Sequence, residues 1–451
     1  MKKQTRRQDK KIEKGMRERH SGPIRIFVIT LGVILLIGIL ALFGMKILKK
    51  QRQTAAEPAS TTAAANDAAS DQASAQEDAG TLWEKIPEEN SEEDPLTDLQ
   101  PEEEKTRYAD VLNDPAYMKE NRIIAWEADN DEVVTLGFVG DILFDDEYAI
   151  MANLINRGGT IEKGISADLL SEMQKTDILV ANNEFPYTRR GTPTEGKTYT
   201  FRADPDTVAY LHDMGVDVAV LANNHIFDFG EEGLLDSLDT LSAAGIPYIG
   251  AGRNLQEASA PVYFIVNDIK IAIVAATQIE RLDHPDTRGA DENTSGVFRC
   301  LHPEKLYEAV AQAKENSDFV IVYVHWGTEN VSEPDWAQLE QGAGLAKAGA
   351  DLVIGAHPHC LQGITYQGET PVIYSLGNFW FNSRTVDTGM IQVEIANDGL
   401  RSVRFVPAIQ SDCRVKLADT AEKERILTYM RELSPGVQID PEGYVSRVAG
   451  E

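Results

Sequence analysis

The sequence predicts an α/β fold for residues 131–415. Apolar runs typical of buried strands alternate with helix-like runs in this region, which is the pattern of α/β proteins. Near its end the pattern changes, because strand-like runs follow one another with short connections. One connection consists of Asn397, Asp398 and Gly399, a typical hairpin turn. We therefore expect a mixed sheet or two stacked sheets.

The individual elements can be assigned in chain order. The strand-like runs are TLGFVG, DILVA, DVAVLA, KIAIVAAT, FVIVYV and DLVIGA, followed by PVIYSLGNF, GMIQVEI and LRSVRFVPA. Helices are expected over residues 233–244, which Gly245 follows, and over residues 303–316, where a proline lies in the first turn. A helix over 335–350 leads into DLVIGA, and the amphipathic run AEKERILTYMREL lies in the C-terminal segment 416–451.

The N-terminus predicts a single membrane span over residues 26–48. Residues 26–45 contain no charged side chain, and a helix of that length crosses a hydrocarbon core of roughly 30 Å. Residues 1–25 are strongly basic, so the positive-inside rule places them in the cytoplasm and the main domain outside the cell. The alternative is a cleaved signal peptide, which would leave the same domain outside but unanchored.

Composition limits the partners and the compartment of the domain. The chain has 451 residues and a formal net charge of −29. Such an acidic chain is not expected to bind nucleic acid, because a phosphate backbone requires a basic surface. Residues 49–130 are rich in Ala, Ser, Thr, Glu and Asp and predict a flexible stalk, within which Trp83 and residues 108–126 are candidates for short ordered pieces.

The chain has three cysteines, too few for a disulfide scaffold. They leave room for one bridge outside the cell, involving Cys300 or Cys413. Cys360 directly follows His359 and could be a soft metal ligand, but we favour a small buried apolar residue.

Five short polar segments each follow an apolar run. In open α/β sheets the ligand crevice lies beyond the carboxyl ends of the strands, so these side chains are expected to meet at one edge. Four of the eight histidines of the chain lie in them. The segments are Gly140 and Asp141; Asn182, Asn183 and Glu184; Asn223, Asn224 and His225; His325, Trp326 and Gly327; and His357, Pro358 and His359.

Carboxylate, amide and imidazole groups together suit a divalent ion such as Zn, Mn, Fe or Mg. We expect one or two ions; two ions about 3.5–4 Å apart could activate a water between them. Glu184 is the best candidate for a bridging ligand, Asp141 would bind one ion, and Asn224 could bind the second. The remaining predicted metal ligands are His325, His357 and His359.

His225 directly follows Asn224, so its side chain is better placed as a general acid, with Asp228 close enough to orient it. Each segment also has a simpler interpretation as a turn, a helix cap or a packing residue. Polar groups at strand ends can also bind substrate rather than a metal.

A basic and aromatic cluster lies between the second and third polar segments. It consists of Lys197, Tyr199 and Arg202, and the planar fork of Arg202 suits a carboxylate or phosphate. We predict that the cluster binds substrate, because a polyanion would need such a clamp on an acidic domain. The alternative is a surface salt bridge.

The motifs GDILFDDEY, NNEFP, KTYTFRADP, LANNHIFDFGEEGL, HWGTE, AKAGADLVIGAHPHCLQ and YSLGNF resemble those of the CapA family of capsule-synthesis proteins associated with poly-γ-glutamate. The resemblance covers residues 135–406. It implies a four-layer α/β/β/α sandwich of the calcineurin-like metallophosphoesterase type, with a dimetal site at one edge. It assigns Asp141 to the first metal aspartate, Glu184 to the bridging acid, Asn224 and His225 to the asparagine–histidine pair, and His325, His357 and His359 to the later histidines.

One position departs from the phosphoesterase pattern. Those enzymes carry Asp-x-His at the first motif, whereas the third position here is Leu143, so one ion loses an imidazole unless Asp145 or Asp146 replaces it. The resemblance implies a membrane-anchored extracellular protein of poly-γ-glutamate biosynthesis, acting as a metal-dependent hydrolase or transferase on the polymer or a wall-linked intermediate. The first alternative is a non-catalytic, polymer-binding subunit of a membrane polymer synthase. The second is a secreted metallophosphoesterase.

Overall fold

The computed structural model describes residues 106–280 and 287–448, which contain two large mixed sheets. The predicted basic segment 1–25, the predicted membrane span 26–48 and residues 49–105 of the predicted stalk lie outside the described residues. Among the residues that are described, no helix has both the length and the apolar character needed to span a bilayer.

The described residues form nineteen strands. Their bounds are β1 Ile123–Ala125, β2 Val134–Ile142, β3 Ile178–Asn183, β4 Val218–Val220, β5 Tyr248–Ile249, β6 Ala251–Gly252, β7 Val262–Val266, β8 Ile269–Thr277, β9 Gly296–Val297, β10 Phe319–His325, β11 Leu352–Ala356, β12 Ile364–Gln367, β13 Thr370–Ile373, β14 Asn378–Trp380, β15 Val386–Ala396, β16 Gly399–Ser411, β17 Arg414–Leu417, β18 Val437–Ile439 and β19 Val445–Arg447.

The first sheet has the strand order β1-β7-β8-β10-β11-β13-β12, and the second has the order β17-β16-β15-β2-β3-β4-β5, with β14 also paired to β2. Strands β8, β10 and β11 are parallel, as are β2, β3, β4 and β5. The predicted turn after Ala396 joins β15 to β16, and its Gly399 has φ +113°, a conformation that glycine adopts without steric cost.

Helices connect the strands. Their bounds are α1 Ala109–Leu112, α2 Pro115–Glu120, α3 Ala149–Asn156, α4 Ala167–Met173, α5 Ala209–Met214, α6 Gly230–Ala244, α7 Leu255–Ser259, α8 Glu304–Glu315, α9 Trp336–Ala348 and α10 Thr420–Leu433, with 3₁₀ turns at Ile161–Lys163 and Pro205–Val208. The three helices predicted within the domain correspond to α6, α8 and α9, and the amphipathic run of the C-terminal segment corresponds to α10.

The two sheets face each other across one apolar core. Leu136 and Phe138 of β2 belong to the same buried cluster as Ile321 and Tyr323 of β10. The hydroxyl of Tyr323 crosses the core and donates to the carbonyl of Val139 at 2.9 Å. Because successive side chains of a strand point to opposite faces, the alternate positions of each strand face outward.

Helices cover the outward faces. Leu179 of β3 shares a buried cluster with Leu238 of α6, and Val322 of β10 shares another with Val310 of α8 and Leu345 of α9. The predicted α/β class is confirmed by these two large mixed sheets. The assignment to the calcineurin-like type stays a prediction from the resemblance.

Residues 106–130 pack on the domain, and they include the segment 108–126 that the sequence marked as a candidate for ordered pieces within the predicted stalk. Strand β1 pairs in parallel with β7, and Ile123 is buried. The indole of Trp126 packs edge-on against Phe264 at 5.7 Å and donates to the carbonyl of Asp177 at 2.7 Å. These apolar anchors stand out from the acidic composition of the neighbouring residues.

The C-terminal segment is also part of the domain. Ile426, Leu427 and Met430 of α10 enter the core between the sheets, and Val445 of β19 joins them. All three cysteines are free, so the bridge considered for Cys300 or Cys413 is not formed in the structure.

We predict that Trp126→Ala lowers the free energy of unfolding by about 2–3 kcal/mol, because the variant loses half-buried aromatic area and one hydrogen bond. Urea denaturation would measure the change. Tyr117→Ala, which removes a 45% exposed ring from α2, is the control and should cost less than ~0.5 kcal/mol. A loss for Trp126→Ala as small as that expected for Tyr117→Ala would show that the Trp126 contacts do not stabilise the domain.

Candidate metal centre

The ends of five strands deliver the candidate ligands to one edge of the molecule. Asp141 lies near the end of β2, opposite Asn182 of β3, and Glu184 directly follows β3. His325 is the last residue of β10 and pairs with Ala356, the last residue of β11. The remaining polar segments follow β4 and β11; they contain Asn224, His225, His357 and His359. The structure thus brings together all seven of these predicted residues.

Glu184 is the centre of the cluster. Its carboxylate is fully buried, and neither oxygen has a hydrogen-bond partner among the residues that the structure describes. Its Oε1 lies 3.6 Å from Nε2 of His325, 3.9 Å from Nε2 of His225 and 4.0 Å from Nε2 of His359. Burial, followed by the neighbouring Asp141 carboxylate, raises the pKa of Glu184 well above its usual range. A buried carboxylate in this position requires either a proton or a cation.

Asp141 is the second buried carboxylate. Its Oδ1 accepts a hydrogen bond from the side-chain amide of Asn182 at 2.7 Å, and its Oδ2 lies 3.1 Å from Nδ1 of His359. Nδ1 of His359 also lies 2.8 Å from the side-chain oxygen of Asn378. Burial, the largest single cause, lowers the pKa of His359, but the hydrogen bond and charge of Asp141, together with Glu329 and Asn378, outweigh it and the pKa is raised.

His325 and His357 form the other side of the cluster. Nε2 of His325 lies 2.8 Å from the side-chain oxygen of Asn224 and 3.1 Å from Nδ1 of His357. Burial lowers the pKa of both imidazoles well below the usual histidine value. They are therefore neutral at pH 7, which is the form that binds metal ions.

The donor atoms fall into two groups that share Glu184. One group is Asp141, Glu184 and His325; the other is Glu184, His357 and His359; in each, one donor atom per residue lies within 4.8 Å of the others. Carboxylate and imidazole donors fit zinc, manganese or iron. The unpartnered oxygens of Glu184 and this donor set together show that the residues present fit a divalent ion.

The loop after β11 has an unusual backbone. His357 has φ +96° and His359 has φ +56°, conformations that non-glycine residues seldom adopt and that cost about 1–3 kcal/mol each where strained. The amide of Asn330 donates to the carbonyl of Pro358 at 2.7 Å and fixes the turn between them. This strained loop turns two imidazoles toward Glu184.

Gly140 allows β2 to approach the segment before β14. The amide of Asp141 donates to the carbonyl of Gly377 at 3.1 Å, and a Cβ atom at position 140 would lie 2.0 Å from that oxygen. The close approach brings Asn378 to His359. A side chain at position 140 would prevent this approach, so the site requires glycine there.

His225 is held from one side by Asp228. Nδ1 of His225 lies 2.7 Å from Oδ2 of Asp228, a carboxylate that is fully buried and also accepts from the amide of Phe201 at 2.7 Å. Burial lowers the pKa of His225 despite the Asp228 carboxylate. The Nε2 atom remains directed toward Glu184, so Asp228 has the position predicted for an orienting residue.

The three predicted substrate-binding residues lie in different environments. Lys197 is almost fully buried, and its ammonium donates to Asp228 and to the carbonyl of Asn224. The ring of Tyr199 is 60% exposed at a cavity beside the cluster. The guanidinium of Arg202 lies 4.7 Å from the ring centre of Phe229. The substrate-binding role of this group stays a prediction.

The position that lacks the phosphoesterase histidine is not filled by a neighbour. Leu143 is buried, and both oxygens of Asp145 accept backbone amides, those of Glu147 and Arg202, at 2.9 and 2.8 Å. Burial raises the pKa of Asp145 to about 6. Asp145 therefore fixes a loop, and the exposed Asp146 belongs to neither group of candidate ligands among the described residues.

Sequence reasoning missed several polar contacts of the centre. Asn182 and Asn378 bind Asp141 and His359, and Asn223 accepts the amides of His225 and Ile226 at 3.1 and 3.0 Å. Asn182 and Asn223 lie inside the polar segments, so their position at the end of an apolar run could have indicated that they contact the centre. Asn378 follows Gly377 in the motif YSLGNF, which contains no acidic residue and no histidine to mark it as part of the centre.

We predict that Glu184→Gln changes the pH dependence of stability in the presence of a chelator. With a raised pKa, folded Glu184 keeps its proton where the unfolded chain has lost it, so wild-type stability falls as pH rises above the unfolded pKa. Glutamine does not titrate. The unfolding free energy of the variant minus that of wild type should therefore rise between about pH 4 and pH 7. A difference independent of pH would contradict the buried, unpartnered carboxylate.

Residues 135–383 match the model of the family described as bacterial capsule synthesis protein PGA_cap. "PGA biosynthesis protein CapA" of Bacillus subtilis (strain 168) is 30% identical over 288 residues, which cover 62% of this chain and 72% of that protein. "Probable polyglutamine synthesis accessory protein" of Mycobacterium tuberculosis (strain CDC 1551 / Oshkosh) is 30% identical over 280 residues, covering 58% and 74%.

Among solved structures, 5'-nucleotidase from Candida albicans SC5314 aligns with a TM-score of 0.35 and 10% identity, over 63% of this chain and 53% of that one, a level too low to assign a fold. The family match spans more than half of the chain, and the relatives agree with it. The predicted membership is thus confirmed: the chain belongs to the bacterial capsule synthesis protein family PGA_cap.

Proposed function

We propose that this chain acts at the cell surface in poly-γ-glutamate capsule biosynthesis, as a metal-dependent hydrolase or transferase on the polymer or a wall-linked intermediate. The observation that carries the proposal is the carboxylate of Glu184, buried without a hydrogen-bond partner among the described residues and surrounded by imidazoles. The names of the relatives, which refer to PGA biosynthesis and polyglutamine synthesis, support the substrate class.

Glu184 would hold one or two divalent ions together with Asp141, His325, His357 and His359, and Asn224 offers an amide oxygen beside His325. When bound, such an ion supplies Lewis-acid catalysis and neutralises the negative charge that develops in the transition state. The identity and number of the ions are part of the proposal. Manganese, zinc, iron and magnesium are the candidates.

His225 is assigned the role of general acid. Asp228 fixes the orientation of the ring through Nδ1 and offsets part of the burial that lowers the pKa of His225; in the protonated form, Nε2 would transfer a proton to the leaving group. Lys197 binds the same Asp228 carboxylate and so holds the carboxylate in place. Lys197, Asp228 and His225 thus form a buried chain of contacts, and Nε2 of His225 at its end lies 3.9 Å from Oε1 of Glu184.

The cellular part of the proposal follows the sequence. Residues 26–48 would anchor the chain with its N-terminus in the cytoplasm and residues 106–448 outside the cell. The proposed partners are the anionic polymer and the subunits of a membrane polymer synthase.

A second candidate is a non-catalytic accessory subunit that uses the centre to hold polymer. The specific observation in its favour is Leu143, because no imidazole is present at that position and Asp145 is engaged in a loop. The secreted phosphoesterase is supported by no contact of the described residues and stays the weakest alternative.

We predict that Glu184→Gln, His357→Ala and His359→Ala each lower the metal content of the purified full-length chain, because each removes a charge or an imidazole from the donor groups. Elemental analysis after dialysis would measure the ion per chain. His302→Ala removes an exposed imidazole and is the matched control, which should keep the wild-type content. If wild type carries no metal after exposure to each candidate ion, the metal proposal fails.

We predict that His225→Ala keeps the metal but lowers turnover by about 10²–10⁴-fold, the usual contribution of a general acid. Capsule production by cells that carry the variant, together with hydrolysis of phosphoester and γ-glutamyl substrates, would measure the effect. Full capsule production with His225→Ala, combined with its loss in the ligand variants, would favour the non-catalytic accessory subunit.

A further inference from the structure

A cavity of about 340 Å³ opens beside the metal centre. Two rings of the centre reach it: His225 stacks on Phe201 with a centroid distance of 4.3 Å, and His359 stacks on Phe381 at 5.0 Å. Phe201 and Phe381 also contact each other edge-on at 5.5 Å. The cavity therefore joins the proposed general acid to an apolar wall of suitable size for one or two monomer units of a polymer.

Arg384 lies at this cavity and is the only lysine or arginine among the described residues that line it. Its side chain is exposed, and Nη1 makes a long contact of 3.5 Å to the side-chain oxygen of Asn330. Within the described parts of the chain, no carboxylate lies within 4 Å of this guanidinium. Its bidentate donors are thus open to an anion.

The side chain of Gln410 in β16, which is fully buried, holds the backbone segment that carries Arg384. Oε1 of Gln410 accepts the amides of Phe381 and Asn382 at 2.7 and 3.1 Å. Its Nε2 donates to the side chain of Asn382 at 2.9 Å and to the carbonyl of Arg384 at 3.1 Å. A single buried amide therefore holds both the apolar wall and the basic residue of the cavity.

We infer that Arg384 binds a carboxylate of an acidic polymer and that the methylene groups of the same unit pack on Phe201 and Phe381. This inference rests on the proposed function and names a recognition residue for it. Glu329 also lines the cavity, and Arg384 is the only lining residue among those described that carries a fixed positive charge for a carboxylate. The buried ammonium of Lys197 and the guanidinium of Arg202 do not line this cavity, so neither replaces Arg384.

The test compares binding of purified poly-γ-glutamate to the full-length chain and to Arg384→Gln and Arg384→Lys, with metal content measured on the same samples. Arg401→Gln is the matched control, because Arg401 is an exposed arginine in the β15–β16 hairpin, paired with Asp398, at the sheet end opposite to Asp141. Circular dichroism checks that each variant is folded.

Arg384→Gln is expected to weaken polymer binding at least about tenfold, with Arg384→Lys intermediate, because a charge-assisted bidentate contact is lost. Metal content should stay at the wild-type value, and Arg401→Gln should bind like wild type. Equal affinities of Arg384→Gln and Arg401→Gln, or no polymer binding by wild type, would overturn the inference. Neither result touches the metal centre, whose failure would appear instead as absence of metal in wild type.

Discussion

The buried carboxylate of Glu184 is the constraint on which the site depends. A carboxylate without hydrogen bonds is costly in the interior of a protein unless a proton or a cation accompanies it. Its neighbours His325 and His357 are kept neutral by burial, so they do not provide the missing charge. A second buried carboxylate, that of Asp141, lies 3.1 Å from Nδ1 of His359 and contributes to raising the pKa of that imidazole. Occupation by a divalent ion would therefore be coupled to the release of protons.

The fold meets this constraint by keeping the donors on rigid elements. Asp141 and His325 are strand residues, and each strand lies inside a sheet whose neighbours fix its register. Glu184, Asn224 and His225 lie in the segments that follow β3 and β4. The loop that carries His357 and His359 has positive φ angles, which are retained because hydrogen bonds and the close approach at Gly377 surround it. A cost of about 1–3 kcal/mol for each strained residue is a sizeable part of a net stability of about 5–15 kcal/mol, so the surrounding contacts must hold the loop in place.

Much of this organisation was predictable, because strand ends in parallel sheets meet at one edge and the polar residues of the site are adjacent to apolar runs. Contacts between distant parts of the chain were not. Lys197 reads as a surface cation, yet it is buried on Asp228, since its neighbours in space are 27 and 31 residues away. Gln410 lies just beyond the strand-like run LRSVRFVPA, and the sequence does not indicate which backbone groups it binds. Sequence patterns report periodicity, whereas these residues depend on tertiary pairing.

Arg107 connects the segment before β1 to two strands of the first sheet. Its guanidinium binds Asp318, which directly precedes β10, and Asp268, which directly precedes β8. His325 lies at the other end of β10. Tension transmitted along the chain from the N-terminal side therefore reaches these ion pairs and the short helices α1 and α2 first. Such a force would act on the end of β10 opposite to His325, so the ion pairs of Arg107 would respond to it before the ligand at the other end of that strand.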